Sequence, residues 1–211
     1  MAPPFFLFLL CKPFQIKIAY IHYMTKQALR QHYLQQRKAL TPNQLAKYND
    51  MLLQQLLKVR LPYLHHVLSY IPLERHNEPD TYNCTKYFAV DNAQVSIAYP
   101  KLMPNGTMLA VATTVDTEYA YNAYGILEPV GGMVVAPISI DMVIVPLLIC
   151  NYKGHRVGYG KGYYDKYLAQ CSPHVVKLGL CIHDPIDVID DIQHYDIPLT
   201  HCITPELVYE F

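Results

Sequence analysis

Residues 154–168 read Gly-His-Arg-Val-Gly-Tyr-Gly-Lys-Gly-Tyr-Tyr-Asp-Lys-Tyr-Leu, a string that concentrates the residue types that handle anions. Glycines at 154, 158, 160 and 162 let backbone N–H groups approach phosphate oxygens closely. Arg156 and Lys161 add full positive charge, one as a planar fork and the other as a mobile point. Asp165 follows in what reads as the first turn of a helix, where a carboxylate can hold a hard cation such as Mg²⁺ beside bound phosphates. Glycines alone more often mark a structural connection, and this spacing fits neither the dinucleotide fingerprint nor a Walker loop. Two cations and an acid confined to the same short loop favour the handling of a nucleoside triphosphate.

Such a loop needs a strand to deliver it and a helix to receive it. The continuous apolar run at 142–149 reads as a buried parallel strand. Residues 163–171 have helical spacing, with Tyr164, Tyr167 and Leu168 on one face and a helix N-terminus that adds its partial charge to the loop. Upstream, Thr25 reads as the N-cap of a helix to about residue 40, and Thr41-Pro42 opens another to about residue 58. Strands are predicted at 67–71, 95–99, 108–113, 175–182 and 201–204, with a short helix at 81–91. Residues 116–140, rich in Tyr, Gly and Pro, read as an irregular loop on the ligand side. Alternating strands and helices predict an α/β fold: a single-domain, doubly wound, mostly parallel sheet with helices on both faces.

Composition narrows the partners. Lysine plus arginine and aspartate plus glutamate both total 17, so no global field favours nucleic acid or an anionic membrane. The six cysteines form no C-x-x-C pair or metal-ligand spacing and read as the scattered thiols of a reducing cytoplasm. The first 23 residues carry a short apolar stretch broken by Lys12, Pro13 and Lys17, which predicts neither a spanning helix nor a secretory signal. The expectation is a non-core extension over 1–23, with translation starting at Met24, and one domain over 24–211.

Further landmarks flank the glycine string. Lys26 and Arg30 stand one helical turn apart, Glu78-Pro-Asp-Thr81 follows the first predicted strand, and Gly125-Ile-Leu-Glu-Pro129 lies in the long loop. Tyr195-Asp-Ile-Pro198 precedes the last predicted strand. Taken singly, Lys26 and Arg30 read as a solvated basic face, Glu78 as a surface charge, Ile71 as core and Asp196 as a turn residue. Together with the Arg-x-Gly-x-Gly-x-Gly-Tyr-Tyr-Asp core at 156–165, and in this order, they resemble the 5-formyltetrahydrofolate cyclo-ligase family, also called 5,10-methenyltetrahydrofolate synthetases.

That resemblance implies closure of 5-formyltetrahydrofolate to 5,10-methenyltetrahydrofolate, with ATP as co-substrate, Mg²⁺ as metal, and ADP and phosphate released. It implies ATP contacts from Lys26, Gln27, Ala28, Leu29 and Arg30, and from Arg156, Val157, Gly158, Tyr159, Gly160, Lys161, Gly162, Tyr163 and Tyr164. Folate contacts would come from Ile71 and Glu78, and from Tyr159, Gly160, Lys161, Gly162 and Tyr163. Asp165 and Asp196 would hold the metal, and Lys161 and Arg156 would carry the chemistry. The expected partners are these small molecules, with no nucleic acid, no stable membrane insertion and a monomeric state. The competing reading is an inactive nucleotide- or folate-binding interaction module. Retention of Lys26, Glu78, Arg156, Lys161, Asp165 and Asp196 together weighs against it.

Overall fold

The computed structural model describes residues 25–211, so the extension expected over 1–23 lies outside the described residues. Helix starts follow their capping chemistry. Thr25 caps α1 (Lys26–Lys38), its hydroxyl accepting the Ala28 amide at 3.4 Å. Thr41 heads α2 (Pro42–Leu56) in a reciprocal box, accepting the Gln44 amide while the Gln44 side chain accepts the Thr41 amide at 2.9 Å. Asp80 caps α3 (Thr81–Asp91) by accepting the Tyr82 amide at 2.8 Å. A last short helix, α4, spans Tyr163–Leu168.

The strands in chain order are β1 (His66–Leu68), β2 (Ser96–Leu102), β3 (Met108–Ala112), β4 (Tyr119–Tyr121), β5 (Leu127–Pro129) and β6 (Met133–Val135). They continue as β7 (Met142–Val145), β8 (Ile149–Cys150), β9 (Arg156–Val157), β10 (Val176–Leu180), β11 (His201–Ile203) and β12 (Val208–Glu210). Eight of them form the main sheet in the order β12-β11-β10-β7-β1-β2-β3-β6. The inner strands β11, β10, β7, β1 and β2 run parallel, while β12, β3 and β6 add antiparallel edges. β4 pairs with β5, and β8 with β9, in two small antiparallel hairpins.

Alternation along the strands divides the interior into two cores. In β7, Met142 and Ile144 pack with Leu52 and Leu56 of α2 and with Cys84 and Phe88 of α3. Val143 and Val145 point to the other face, with Leu29 and Tyr33 of α1 and Tyr167 and Leu168 of α4. The second core also contains three buried thiols. The sulfurs of Cys150 and Cys202 lie 3.3 Å apart, and the Cys181 thiol donates to the Leu148 carbonyl. All described cysteines are unpaired in the disulfide sense. Among the described residues no helix is long and apolar enough to cross a membrane.

The sheet is doubly wound, as expected. From β1 the chain moves outward through β2 and β3, then crosses back to β7 on the other side of β1 and continues through β10 and β11. The carboxyl ends of β1 and β7 therefore diverge at a topological switch point, where such sheets open a crevice. The predicted strand at 142–149 is in fact two elements. β7 ends at Val145, Pro146 cannot donate to a ladder, and the chain turns into the β8–β9 hairpin before reaching the glycine loop. The predicted loop at 116–140 contains the β4–β5 hairpin and edge strand β6.

Candidate functional site

A cavity of about 470 Å³ opens at the switch point, with Tyr70 and Ile71 after β1 and Pro146 after β7 at its base. One part of its lining is cationic: Lys26 and Arg30 from α1, and Arg156 and Lys161 from the glycine string. Another part is apolar, built by Pro100, Leu102, Met108, Ile126 and Leu127. The cavity can thus hold an anionic group and a flat apolar one side by side.

The cations are positioned by specific partners. Arg30 donates from Nε to the Gly158 carbonyl at 2.8 Å. Its guanidinium lies against Gly160, where an added Cβ would come 3.0 Å from Arg30 Cζ; with φ +85° as well, a side chain there would strain the backbone and push Arg30 aside. Lys26 pairs with Asp196 across the cavity mouth. Burial alone would raise the Asp196 carboxyl, but the Gln193 amide and the Lys26 ammonium outweigh it and hold that group below the usual carboxylate value. Arg156 pairs with Asp165 at 2.9 Å and also donates to the Ile197 carbonyl, while the Ile197 amide donates to the same Asp165 oxygen at 3.1 Å. Lys161 is held differently: its ammonium stands 5.7 Å from the Tyr124 ring centre, and it has no carboxylate partner among the described residues.

Beneath the loop runs a buried relay. Arg37, 3 % exposed, donates to the carbonyls of His76 and Leu147 at 2.8 and 2.9 Å and to the Tyr159 hydroxyl. Tyr159 in turn donates to Glu78, whose second oxygen accepts the Leu73 amide at 2.7 Å. Burial pushes the Glu78 carboxyl up, and the Tyr159 and Leu73 hydrogen bonds and the Arg37 charge oppose that rise. Desolvation and the neighbouring Glu78 charge raise the Tyr159 hydroxyl well above its ordinary value, so it stays protonated and keeps donating. His76 stacks on Tyr159 and is pushed down to about 4, chiefly by desolvation and then by Lys38, Arg75 and Arg37, so it is neutral at pH 7.

Most of the residues singled out in the sequence meet in this one cavity: Lys26, Arg30, Ile71, Glu78, Arg156, Gly158 to Gly162 with Tyr159, Gly160 and Lys161 between them, Tyr163, Tyr164, Asp165 and Asp196. Gln27 is exposed, Leu29 and Val157 are core residues, and with Ala28 they stand outside the lining. Lining residues that the sequence reading missed include Tyr70, Arg75, Tyr124 and Glu128. Arg37 was missed too, although Lys26, Arg30 and Arg37 share one helical face, a spacing that could have singled it out. The helix after the loop has six residues rather than nine, so its dipole adds little and the positive charge at the loop comes from its side chains.

Asp165 and Asp196 both offer oxygen to the cavity, the donor type a small hard cation takes, and such a cation keeps waters and ligand phosphates in its remaining positions. The described residues contain no cluster of three or more acidic, His or Cys ligands, so an all-protein cage is not what this pair would make. Two carboxylates beside a cationic wall fit a metal that arrives with a polyphosphate.

Gly154, the first glycine of the string, has a different task. It turns the β8–β9 hairpin at φ +80°, its amide bonding the Asn151 carbonyl and its carbonyl accepting the Leu199 amide. An added Cβ would lie 2.8 Å from the Leu199 oxygen and 2.9 Å from the Phe211 ring. Gly154→Ala is therefore expected to lower stability by about 2–4 kcal/mol through overpacking and left-handed strain. Urea unfolding checks this, and a change within about 0.5 kcal/mol would show that the turn relaxes freely.

A model of the 5-formyltetrahydrofolate cyclo-ligase family matches residues 22–205. The chain is 27 % identical over 179 residues to the 5-formyltetrahydrofolate cyclo-ligase of Mycoplasma pneumoniae, covering 80 % of this chain and 97 % of that one. It is 25 % identical over 181 residues to the enzyme of the same name from Escherichia coli, covering 84 % and 98 %. The NMR structure of Aquifex aeolicus 5,10-methenyltetrahydrofolate synthetase superposes with a TM-score of 0.73 at 26 % identity, over 89 % of this chain and 93 % of that one.

Proposed function

The chain belongs to the 5-formyltetrahydrofolate cyclo-ligase family, and from that premise we propose that it closes 5-formyltetrahydrofolate to 5,10-methenyltetrahydrofolate at the expense of ATP. The observation that carries the reading is the single cavity in which a cationic glycine loop faces an apolar wall with a buried carboxylate, Glu78. One side suits a triphosphate and the other a pteridine ring.

A formamide oxygen is a poor leaving group at neutral pH. In the proposed reaction it attacks the γ-phosphorus of ATP, ADP departs, and the oxygen becomes part of an imidate phosphate. N10 of the folate then attacks the activated carbon and gives up its proton to solvent, the carbon–oxygen bond breaks, phosphate leaves, and the five-membered ring is closed. Transfer of this kind needs alignment and charge neutralisation rather than a protein nucleophile. Lys26 and Arg30 grip the phosphates from α1, and Lys161 follows the transferred group from the loop. Arg156 steadies Asp165, and Glu78 accepts N–H groups of the pteridine. Asp165 and Asp196 would hold Mg²⁺, which when bound supplies neutralisation of phosphate charge. Both carboxylates are ion-paired to cations of the same cavity, Asp196 to Lys26 and Asp165 to Arg156.

The deciding experiment mixes the protein with Mg-ATP and 5-formyltetrahydrofolate and follows the methenyl-folate absorbance, with ATP omitted as control. ATP-dependent growth of the band is expected; its absence while both ligands bind would favour an inactive binding module. Asp165→Asn keeps an oxygen for Arg156 and Ile197 but removes the charge, and is expected to raise the Mg²⁺ concentration for half-maximal rate by at least about tenfold. An unchanged Mg²⁺ titration would remove Asp165 from the metal site.

A further inference from the structure

The cavity contains a second buried carboxylate with one oxygen committed to the fold and the other uncommitted. Glu128, 7 % exposed, stands in β5 within the 125–129 motif, to which the sequence reading gave no role. Its Oε1 accepts the Leu102 amide at 3.0 Å and the Asn122 side-chain amide at 2.6 Å, which ties the β4–β5 hairpin to β2. No described residue donates to its Oε2, and the side chain lines the cavity with Pro100, Leu102, Met108 and Ile126.

A carboxylate oxygen is an acceptor, and a ligand that displaces water from beside it must bring a donor in its place. Its complement is a donor brought by the ligand. The hairpin that carries Glu128 is also fastened to the turn that leads to Glu78. Arg75, one residue before His76, donates to the Gly125 and Tyr124 carbonyls at 2.8 and 3.0 Å. The two carboxylates thus belong to one clasped wall and can face one ligand. A reduced pteridine carries N–H donors on more than one edge, which matches two acceptors better than the single exocyclic amine of adenine does.

We propose that Glu128 is a substrate-binding residue whose free Oε2 accepts an N–H of the pteridine ring, alongside Glu78. This rests on the folate reading above. Glutamine is the discriminating replacement, because its oxygen can keep the Leu102 and Asn122 contacts while its amide presents a donor where the carboxylate accepted. Calorimetric titration of Glu128→Gln is expected to show roughly 10–100-fold weaker binding of 5-formyltetrahydrofolate, with binding of a non-hydrolysable ATP analogue within about twofold of wild type. Unchanged folate binding would make Glu128 a purely structural tie, and a loss confined to the ATP analogue would assign it to the nucleotide; either overturns the proposal. Wild type is titrated in parallel, and if it binds no 5-formyltetrahydrofolate the functional reading itself fails. If the variant does not fold, a structure of the wild-type complex decides: a pteridine nitrogen about 3 Å from Oε2 is expected, and one beyond hydrogen-bond reach overturns the assignment.

Discussion

Replacing Lys161 with alanine is expected to lower turnover by about 10²–10³-fold, the range seen when a group that stabilises developing charge is removed. The reason lies in how the cavity's cations are held. Lys26 and Arg156 are tied to carboxylates, and Arg30 is fixed to a loop carbonyl. Lys161 rests only against the Tyr124 ring, a contact of about 0.5–1 kcal/mol that a phosphoryl oxygen can outcompete. It is exposed, so the same substitution should leave stability within about 0.5 kcal/mol. Single-turnover rates with saturating ATP and folate separate the chemical step from binding. Near-normal turnover in the variant would take Lys161 out of the mechanism.

Arg37→Met should have the largest effect on the fold around the site. It leaves the His76 and Leu147 carbonyls and the Tyr159 hydroxyl without their donor and removes the charge 3.9 Å from Glu78. Breaking a buried charge pair in this way costs about 3–5 kcal/mol. The effect on Glu78 has a definite sign. Its folded pKa already lies above the unfolded value, so ionising it works against folding: that penalty is absent at pH below the unfolded value and grows as pH rises toward the folded one. Without Arg37 the folded value rises further and the window widens upward. The acidic limb of folate binding should move to higher pH with it, because the pteridine N–H groups need an ionised acceptor. A variant that is destabilised but keeps the wild-type pH profile would show Arg37 to be structural only.

Much of this could be read from the chain, and the gaps have physical causes. Helices α1 and α2 were legible because Thr25 and Thr41-Pro42 satisfy local amides, a signal written within four residues, and α3 carries the same signal at Asp80. The residues 142–149 were read as one strand because a continuous apolar run looks the same in a parallel strand and in a buried hairpin; only Pro146 hinted at the break. The strands β4, β5 and β6 have three residues each, too few for an alternation to emerge from a Tyr- and Gly-rich segment, and β12 was missed for the same reason. Within the site, Asp165 stood out from the glycine string itself, whereas Lys26, Arg30 and Asp196 were singled out only by the family resemblance. Arg37 and Glu128 were not singled out, because their roles depend on partners 122 and 26 residues away.

The placement of the thiols makes the molecule its own reporter of local opening. Cys84 is shut inside the core under α2 and α3, whereas Cys150, Cys181 and Cys202 are shut inside the core under α1 and α4. Cys171 is partly exposed at the end of the last helix. A water-soluble alkylating reagent reaches a buried thiol only when the surrounding structure opens. The labelling rate of Cys84 therefore clocks one half of the molecule and that of the three-thiol group the other, with Cys171 as the fast internal reference. Ligands held by the glycine loop and α1 should slow the second clock more than the first, which turns mass spectrometry of the unmodified chain into a binding assay resolved by face of the sheet.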